Sequence, residues 1–415
     1  MSWTIQFPES YQRQPGMAAR GPIGPLPSVE DARPAVEHFL AGHWPDIIRT
    51  PEGDPAWPCF VPGSTYDQLW DWDAFFMAMA APDEHLSVGQ GSLRNLLSGV
   101  LPDGRPPKRR EADGSFVYNS FPLPVHAQFA RLLSLRTDDV EWLRPLWKKL
   151  VSIRCWYDRN AVRDGYHVWP GFQGNGLDNN PAVYGRPPNS SAGVDLAVWH
   201  WGENQCMALL AEALGENGSG YAALAARLAE QIQTRFWDPC DQFFYAIDCS
   251  ADNAQTSQQK VTWPVHLKFR NFAGLFPVIM GIASEEQAAA VFDKLLDETE
   301  FLSPAGIRSH SARDGIYNNV PMGNPSNWQG PVWALTTCLS SYALARYGRL
   351  EEAKEVAGRL VRTFAADLNA NGCIHEYYCG DSGQPLSKPG FLSWNLLAGR
   401  ILEDLDNGRN PLCID

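Results

Sequence analysis

Asn324-Pro-Ser-Asn-Trp-Gln-Gly-Pro-Val-Trp333 leads directly into Ala334-Leu-Thr-Thr-Cys-Leu-Ser-Ser-Tyr-Ala-Leu-Ala-Arg-Tyr347. The first part is a loop of turn formers and aromatics, and the second repeats apolar residues at the three-to-four spacing of a helix. The same unit recurs along the chain. Helical periodicity predicts helices over 34–49, 67–81, 88–100, 123–136, 139–159, 194–215, 218–236, 283–298, 331–347, 350–368 and 391–403. A strand is expected over 243–247 and a hairpin elaboration over 254–266. Long loops at 102–122, 160–193, 302–330 and 369–390 fall between helix pairs and carry Gly, Pro, Asn and aromatics, the composition of working loops rather than filler. Helices alternating between two rings, with loops gathered on one face, give an all-α expectation: an (α/α)6 toroidal barrel. No Ser/Gly linker divides the chain, so residues 1–33 read as an N-terminal arm and 34–415 as a single catalytic domain.

Composition narrows the function. The 415 residues are 44% hydrophobic and 20% charged, and 34 Lys plus Arg against 47 Asp plus Glu give a net charge of −13. That field repels phosphate backbones and anionic lipid, so nucleic-acid and membrane partners are not expected. No run approaches the roughly 18 to 20 apolar residues of a spanning helix, and the N-terminus lacks a basic segment followed by an apolar one, which reads as cytoplasmic. Nine cysteines without a C-x-x-C pair point away from a disulfide framework and structural zinc; Cys373 and Cys379 flank one loop and could bridge, with two free thiols the favoured expectation. Sixteen tryptophans favour carbohydrate, because a flat indole stacks on the C–H face of a sugar. The residues do not set the oligomeric state.

Four segments carry candidate chemistry. In Tyr66-Asp-Gln-Leu-Trp70-Asp-Trp-Asp73, helical spacing would place Tyr66, Trp70 and Asp73 on one face, away from an apolar stripe of Leu69, Trp72, Phe76 and Met79. The acids could equally complement a helix dipole. Trp169-Pro-Gly-Phe172-Gln-Gly-Asn-Gly176-Leu-Asp178-Asn-Asn-Pro181 presents one carboxylate on a glycine-punctuated loop, although an Asx-capped turn fits the same residues. Trp328 and Gln329 suit a stacking platform and a hydroxyl-binding amide, or a plain helix-entry turn, while Trp333 reads as core. His375-Glu376-Tyr-Tyr-Cys-Gly-Asp-Ser-Gly383, followed by Pro389-Gly-Phe-Leu-Ser-Trp394, offers a lone Glu among tyrosines. Two isolated carboxylates on separate loops are what a glycosidase uses to flank a scissile bond.

In this order the segments resemble the clan of (α/α)6 inverting glycosidases that holds trehalases and glycoside hydrolase family 63, closest to short bacterial enzymes of the mannosylglycerate and glucosylglycerate hydrolase type. GNGLDNNP resembles the S-G-x-D segment, which implies Asp178 as general acid. HEYYCGDSG resembles the E-x-Y-x-x-x-T-G segment, which implies Glu376 as general base. YDQLWDWDAFF is similar to the first substrate-binding helix, NWQGPVW to W-R-G-P-[IV]-W, SPAGIRS with Arg308 to G-[ILV]-R-[ST], GVDLAVW with Asp195 to a D-L-N helix start, and SFPLPVHA to S-Q-P-P-x-x-A. Gln329 stands where the family usually has Arg, Phe121 where it often has Gln, and Asn327 where an aromatic is common.

The resemblance implies an exo-acting inverting α-glycosidase that releases a monosaccharide from a small α-glucoside or α-mannoside. Asp73 and Arg308 would hold hydroxyls, and Trp70, Trp328 and Trp394 would form walls, joined by Trp169, Phe172 and Gly176 of the glycine-rich loop. Neither metal nor cofactor is required. Two other readings stay open: an (α/α)6 sugar epimerase using His266, His310 or His375, and a non-catalytic sugar-binding barrel.

Overall fold

The computed structural model describes residues 24–249, 265–323 and 325–412. Most of the expected arm over 1–33 and nearly all of the expected hairpin over 254–266 lie outside the described residues. The described chain is predominantly helical: α1 (Val29–Gly42), α2 (Asp71–Ala80), α3 (Leu86–Ser98), α4 (His126–Thr137), α5 (Trp147–Asn160), α6 (Val194–Leu214), α7 (Ser219–Arg235), α8 (Phe276–Ile279), α9 (Glu285–Leu295), α10 (Ala334–Arg346), α11 (Leu350–Asn371) and α12 (Ile401–Asp406). Among the described residues, no helix is long and apolar enough to cross a membrane.

Sequence pattern separates two kinds of helix. All ten residues of α2 are buried, as are Ala334 through Leu344 of α10, so these helices are apolar nearly all round. In α7 only Ala225, Leu228 and Ile232 are buried, a single stripe at i, i+3 and i+7. The buried helices touch one another in succession. Helix α2 packs on α4, α4 on α6, α6 on α8, α8 on α10, and α10 on the 3-10 turn Ser393–Gly399, which packs back on α2.

Several boundaries depart from the periodicity. Leu69–Trp70 is not helical but pairs antiparallel with Arg109–Arg110, which pairs in turn with Phe116–Val117. The helix starts at Asp71, whose carboxylate accepts the Trp72 amide at 2.8 Å. The expected helix over 391–403 is the 3-10 turn Ser393–Gly399 followed by α12. Helix α10 begins at Ala334, which leaves Trp333 buried at the N-cap rather than inside the helix. Helix α8 and the preceding 3-10 turn Phe272–Leu275 are additions to the expected elements: Gly274 and Pro277 interrupt the run, and the Asn271 side chain starts the turn by accepting the Ala273 amide. The expected strand over 243–247 exists as two short pieces, Phe243–Phe244 and Ala246–Asp248.

Close packing explains one glycine in a helix that alanine should favour. A Cβ on Gly91 of α3 would lie 2.1 Å from the Pro58 carbonyl oxygen. Alanine gains up to about 1 kcal/mol in helix propensity, but overpacking against backbone costs about 1–3 kcal/mol, so the clash decides the sign. Gly91→Ala is expected to lower the melting temperature by several degrees; an unchanged or raised melting temperature would contradict this packing.

Candidate active site

A cavity of about 420 Å³ opens where the loops meet the buried helices. Three carboxyl groups, those of Asp73, Asp178 and Glu376, line it.

Each is fixed by local structure. Asp73 lies in the first turn of α2 and accepts a hydrogen bond from the Ser393 hydroxyl at 2.7 Å. Glu376 sits on an extended segment held by bridges between His375 and Pro389 and between Tyr378 and Val332. Its amide donates to the Lys388 carbonyl at 3.0 Å, and its carboxylate accepts the Ser387 hydroxyl at 2.8 Å. Asp178 follows two left-handed glycines, Gly174 at φ +97° and Gly176 at φ +80°. A Cβ would lie 2.0 Å from the Phe121 carbonyl oxygen at Gly174 and 2.5 Å from the Trp72 ring at Gly176, so only glycine lets this loop lie flat here.

The Asp178 loop is fastened to the Trp328 loop. Both the amide and the hydroxyl of Ser326 donate to Asp178 Oδ2 at 2.9 Å. Asn179 accepts the Trp328 amide at 2.6 Å and donates to Asn327 Oδ1 at 3.1 Å, and Gln329 Nε2 donates to the Asn179 carbonyl at 2.8 Å.

The walls are aromatic. Trp328 stacks on Trp333 with ring centres 4.1 Å apart and planes 4° from parallel. Trp394 meets Trp72 edge-on at 5.3 Å. The indole N–H groups of Trp70, Trp328 and Trp394 have no partner in the described protein, although all three residues line the cavity.

Desolvation among these rings dominates the electrostatics. It pushes Glu376 up to about 7, with Asp178 and Asp73 adding to the rise while Lys388 and the Ser387 hydrogen bond oppose it. It pushes Asp73 to about 7 against the Ser393 hydrogen bond. Asp178 is also raised by burial, against the two bonds from Ser326 and the charges of Lys108 and Lys388.

Of the residues singled out from sequence, Tyr66, Trp70, Asp73, Phe172, Gly176, Asp178, Trp328, Glu376 and Trp394 line the cavity. Tyr66, Trp70 and Asp73 arrive there from a loop, a strand and a helix rather than from one helical face. Three others do not line it. Trp169 is buried behind the loop and donates to Asp195 Oδ1 at 3.2 Å. Gln329 is spent on Asn179 and on Asn318, whose amide donates to it at 3.1 Å. Arg308 ties loops together, donating to the carbonyls of Glu298 at 2.9 Å and Glu300 at 3.2 Å and also to that of Leu302. Phe121 packs among Trp156, Tyr157 and Trp169.

None of the three candidate histidines lines the cavity; His266, His310 and His375 pair with Asp238, Asp314 and Asp367. The lining also includes Trp72, Lys108, Arg109, Asn119, Ser120, Gln173 and Ser326, which sequence reasoning does not single out as site residues. Periodicity puts Trp72 on the packing stripe, and its ring does meet Phe76 edge-on at 5.7 Å, yet it also reaches the cavity. For the others, the Lys108-Arg109 pair is the one signal available.

Comparison with known proteins gives this site a family. A model described as the mannosylglycerate hydrolase MGH1-like glycoside hydrolase domain matches residues 66–394. The chain belongs to this MGH1-like glycoside hydrolase family. A probable mannosyl-oligosaccharide glucosidase of Schizosaccharomyces pombe is 23% identical over 397 residues, covering 90% of this chain and 44% of that protein. A mannosylglycerate hydrolase of Selaginella moellendorffii is 35% identical over 125 residues, 29% of this chain and 22% of its own. The MGH1-like chain thus spans less than half the length of these curated relatives. The solved GH63 mannosylglycerate hydrolase from Thermus thermophilus, in complex with glucose, matches with a TM-score of 0.68 at 19% identity, over 90% of this chain and 100% of its own. Neutral trehalase from Saccharomyces cerevisiae matches with a TM-score of 0.61 at 14% identity, over 91% and 82%. The expected likeness to family 63 is met, and the fold is of the family 63 and trehalase type.

The raised carboxyl of Glu376 has a stability consequence. Its protonated form is favoured in the folded protein, so its contribution is fully present below the ordinary value of 4.5 and is lost as pH rises through about 7. Glu376→Gln should therefore raise unfolding free energy at pH 8 by up to about 3 kcal/mol and have little effect at pH 4, as read by denaturant titration. A loss of stability at pH 8 would contradict the desolvated carboxyl.

Proposed function

We propose that this MGH1-like chain is an inverting, exo-acting α-glycosidase that hydrolyses a small α-glucoside or α-mannoside to a free monosaccharide. The succession of buried helices is read as the inner ring of an (α/α)6 toroid, its other helices as the outer ring, and residues 34–415 as one catalytic domain. The observation that carries the reading is that Asp178 and Glu376, from loops far apart in sequence, line one aromatic cavity.

In the proposed step the Asp178 carboxyl gives its proton to the glycosidic oxygen as the bond from that oxygen to the anomeric carbon breaks. Water attacks the anomeric carbon from the opposite face, and Glu376 takes the water's proton. The products are the monosaccharide and the free aglycone alcohol. The unpartnered indole N–H groups and Asp73 are suited to the hydroxyls of the glycone, and a hydroxyl would supply the hydrogen bond that Trp328 and Trp394 lack.

With Asp73, Asp178 and Glu376 all raised, the carboxyls titrate as a coupled set, and the productive form has the proton on Asp178 and the charge on Glu376. Activity should fall at low pH as Glu376 protonates and at high pH as Asp178 loses its proton, giving a bell-shaped kcat/KM profile.

The test is hydrolysis of small α-glycosides by Asp178→Ala and Glu376→Ala. Each should lose about 10²–10⁴-fold in kcat/KM. Asp178→Ala should recover most of its loss on a glycosyl fluoride, whose leaving group needs little proton assistance, and Glu376→Ala should not. Full activity in both variants would overturn the assignment.

A further inference from the structure

Glu376 does not stand alone on its extended segment. The bridge between His375 and Pro389 sets the register, and in that register Glu376 faces Lys388, whose carbonyl accepts the Glu376 amide at 3.0 Å. Directly opposed residues of an antiparallel pair send their side chains to the same side, so the Lys388 stem starts beside the Glu376 side chain. Its ammonium ends 3.8 Å over the Tyr66 ring, and Tyr66 and Glu376 both line the cavity. The Ser387 hydroxyl, from the same segment as Lys388, donates to Glu376 Oε2 at 2.8 Å.

The other lysine of the site is committed. Lys108 Nζ lies 3.0 Å from Asp71 Oδ1 and donates to the Gly174 carbonyl at 3.2 Å. Among the described residues, half-buried Lys388 has neither a hydrogen-bond partner for its Nζ nor a carboxylate within ion-pair distance. Desolvating an unpaired ammonium is unfavourable, and the Tyr66 ring offsets only part of that. Folding alone gives no reason for the arrangement.

The charges around it supply one. Burial pushes the Lys388 ammonium below the ordinary lysine range, while Glu376 and then Asp178 favour its charged form. The titratable groups around Glu376 are Asp178, Asp73, Tyr66, Tyr377 and Lys388, and among these Lys388 is the one cation. After burial it is the largest influence on Glu376, whereas Asp178 answers first to the two Ser326 bonds and to Lys108. A general base must be charged before it can take a proton, and a desolvated cavity works against that.

We infer that Lys388 is a positioning residue for the hydrolytic step: its unpaired ammonium, opposite Glu376 and above Tyr66, holds Glu376 in the charged form that accepts the proton of the attacking water. Lys388 does not line the cavity and so acts through Glu376. The inference rests on the glycosidase reading above and adds to it the group that sets the lower edge of the working pH range.

α-Glucosyl and α-mannosyl fluoride are the probes, because their leaving group needs little proton assistance and the low-pH limb of kcat/KM then reports Glu376. Lys388→Met should move that limb upward by about one pH unit, since without the ammonium Glu376 protonates sooner as pH falls, and Lys388→Arg should keep the wild-type limb. An unmoved limb in Lys388→Met, or an arginine variant that behaves like the methionine one, overturns the inference. A second measurement needs no turnover. In urea titrations at pH 8, Lys388→Met should lower the unfolding midpoint more in the wild-type background than in the Glu376→Gln background. At pH 4, where Glu376 is protonated in the folded protein, the two changes should be equal. Equal changes at pH 8 overturn the inference even if the limb moves. If wild type cleaves neither fluoride, the glycosidase reading is what fails, and the midpoints still decide whether the ammonium acts on Glu376.

Discussion

The site depends on one buried ion pair. Lys108 and Asp71 are 5% and 0% exposed, with Lys108 Nζ 3.0 Å from the carboxylate. Asp71 also accepts the amides of Trp72 and Leu123, each at 2.8 Å, while Lys108 donates to the Gly174 carbonyl. Three pieces of chain are joined at that point: the start of α2 with Asp73, the segment that brings Lys108 and Arg109 to the cavity, and the glycine-rich loop that carries Asp178. A buried pair adds little net stability over an apolar replacement, but losing one partner costs about 3–5 kcal/mol because a charge is left behind. Its value here is positional.

Around that anchor the protein holds three carboxyl groups among aromatic walls. The aromatic walls that suit a sugar face are the same walls that raise Asp73, Asp178 and Glu376. On the proposed reading, sugar recognition and proton affinity come from one physical cause, desolvation. Lys388 and the serine hydroxyls of Ser326, Ser387 and Ser393 moderate it, each on a different carboxyl or pair, so the set keeps an acid and a base together instead of losing all charge. The arrangement works against stability, as is common where binding requires groups that folding alone would not bury.

Much of this was legible in the sequence, and the exceptions have physical reasons. Asp178 and Glu376 stand on loops punctuated by glycine and bounded by aromatics, and that local signal survives folding because Gly174 and Gly176 are needed for close approach. Arg308 lies off the cavity lining because its guanidinium satisfies carbonyls of Glu298 and Glu300, which nothing in Gly-Ile-Arg-Ser reveals. Trp169 lies off it for a related reason: its indole finds a buried partner in Asp195. Periodicity carried α2 back through Leu69 and Trp70, yet the pairing of those residues with Arg109–Arg110 is a long-range contact that outweighs local preference. Arg109, Asn119 and Gln173 were invisible as lining residues because they share the cavity only when separate stretches of chain meet.

The central claim is that Asp178 and Glu376 act across a gap that admits a water molecule. The most direct test is the anomeric configuration of the sugar first released, followed by proton NMR before mutarotation on whichever α-glycoside the enzyme cleaves. The account predicts the β-anomer as the initial product. Initial release of the α-anomer would contradict it, because retention requires a covalent intermediate on one carboxylate rather than direct attack by water.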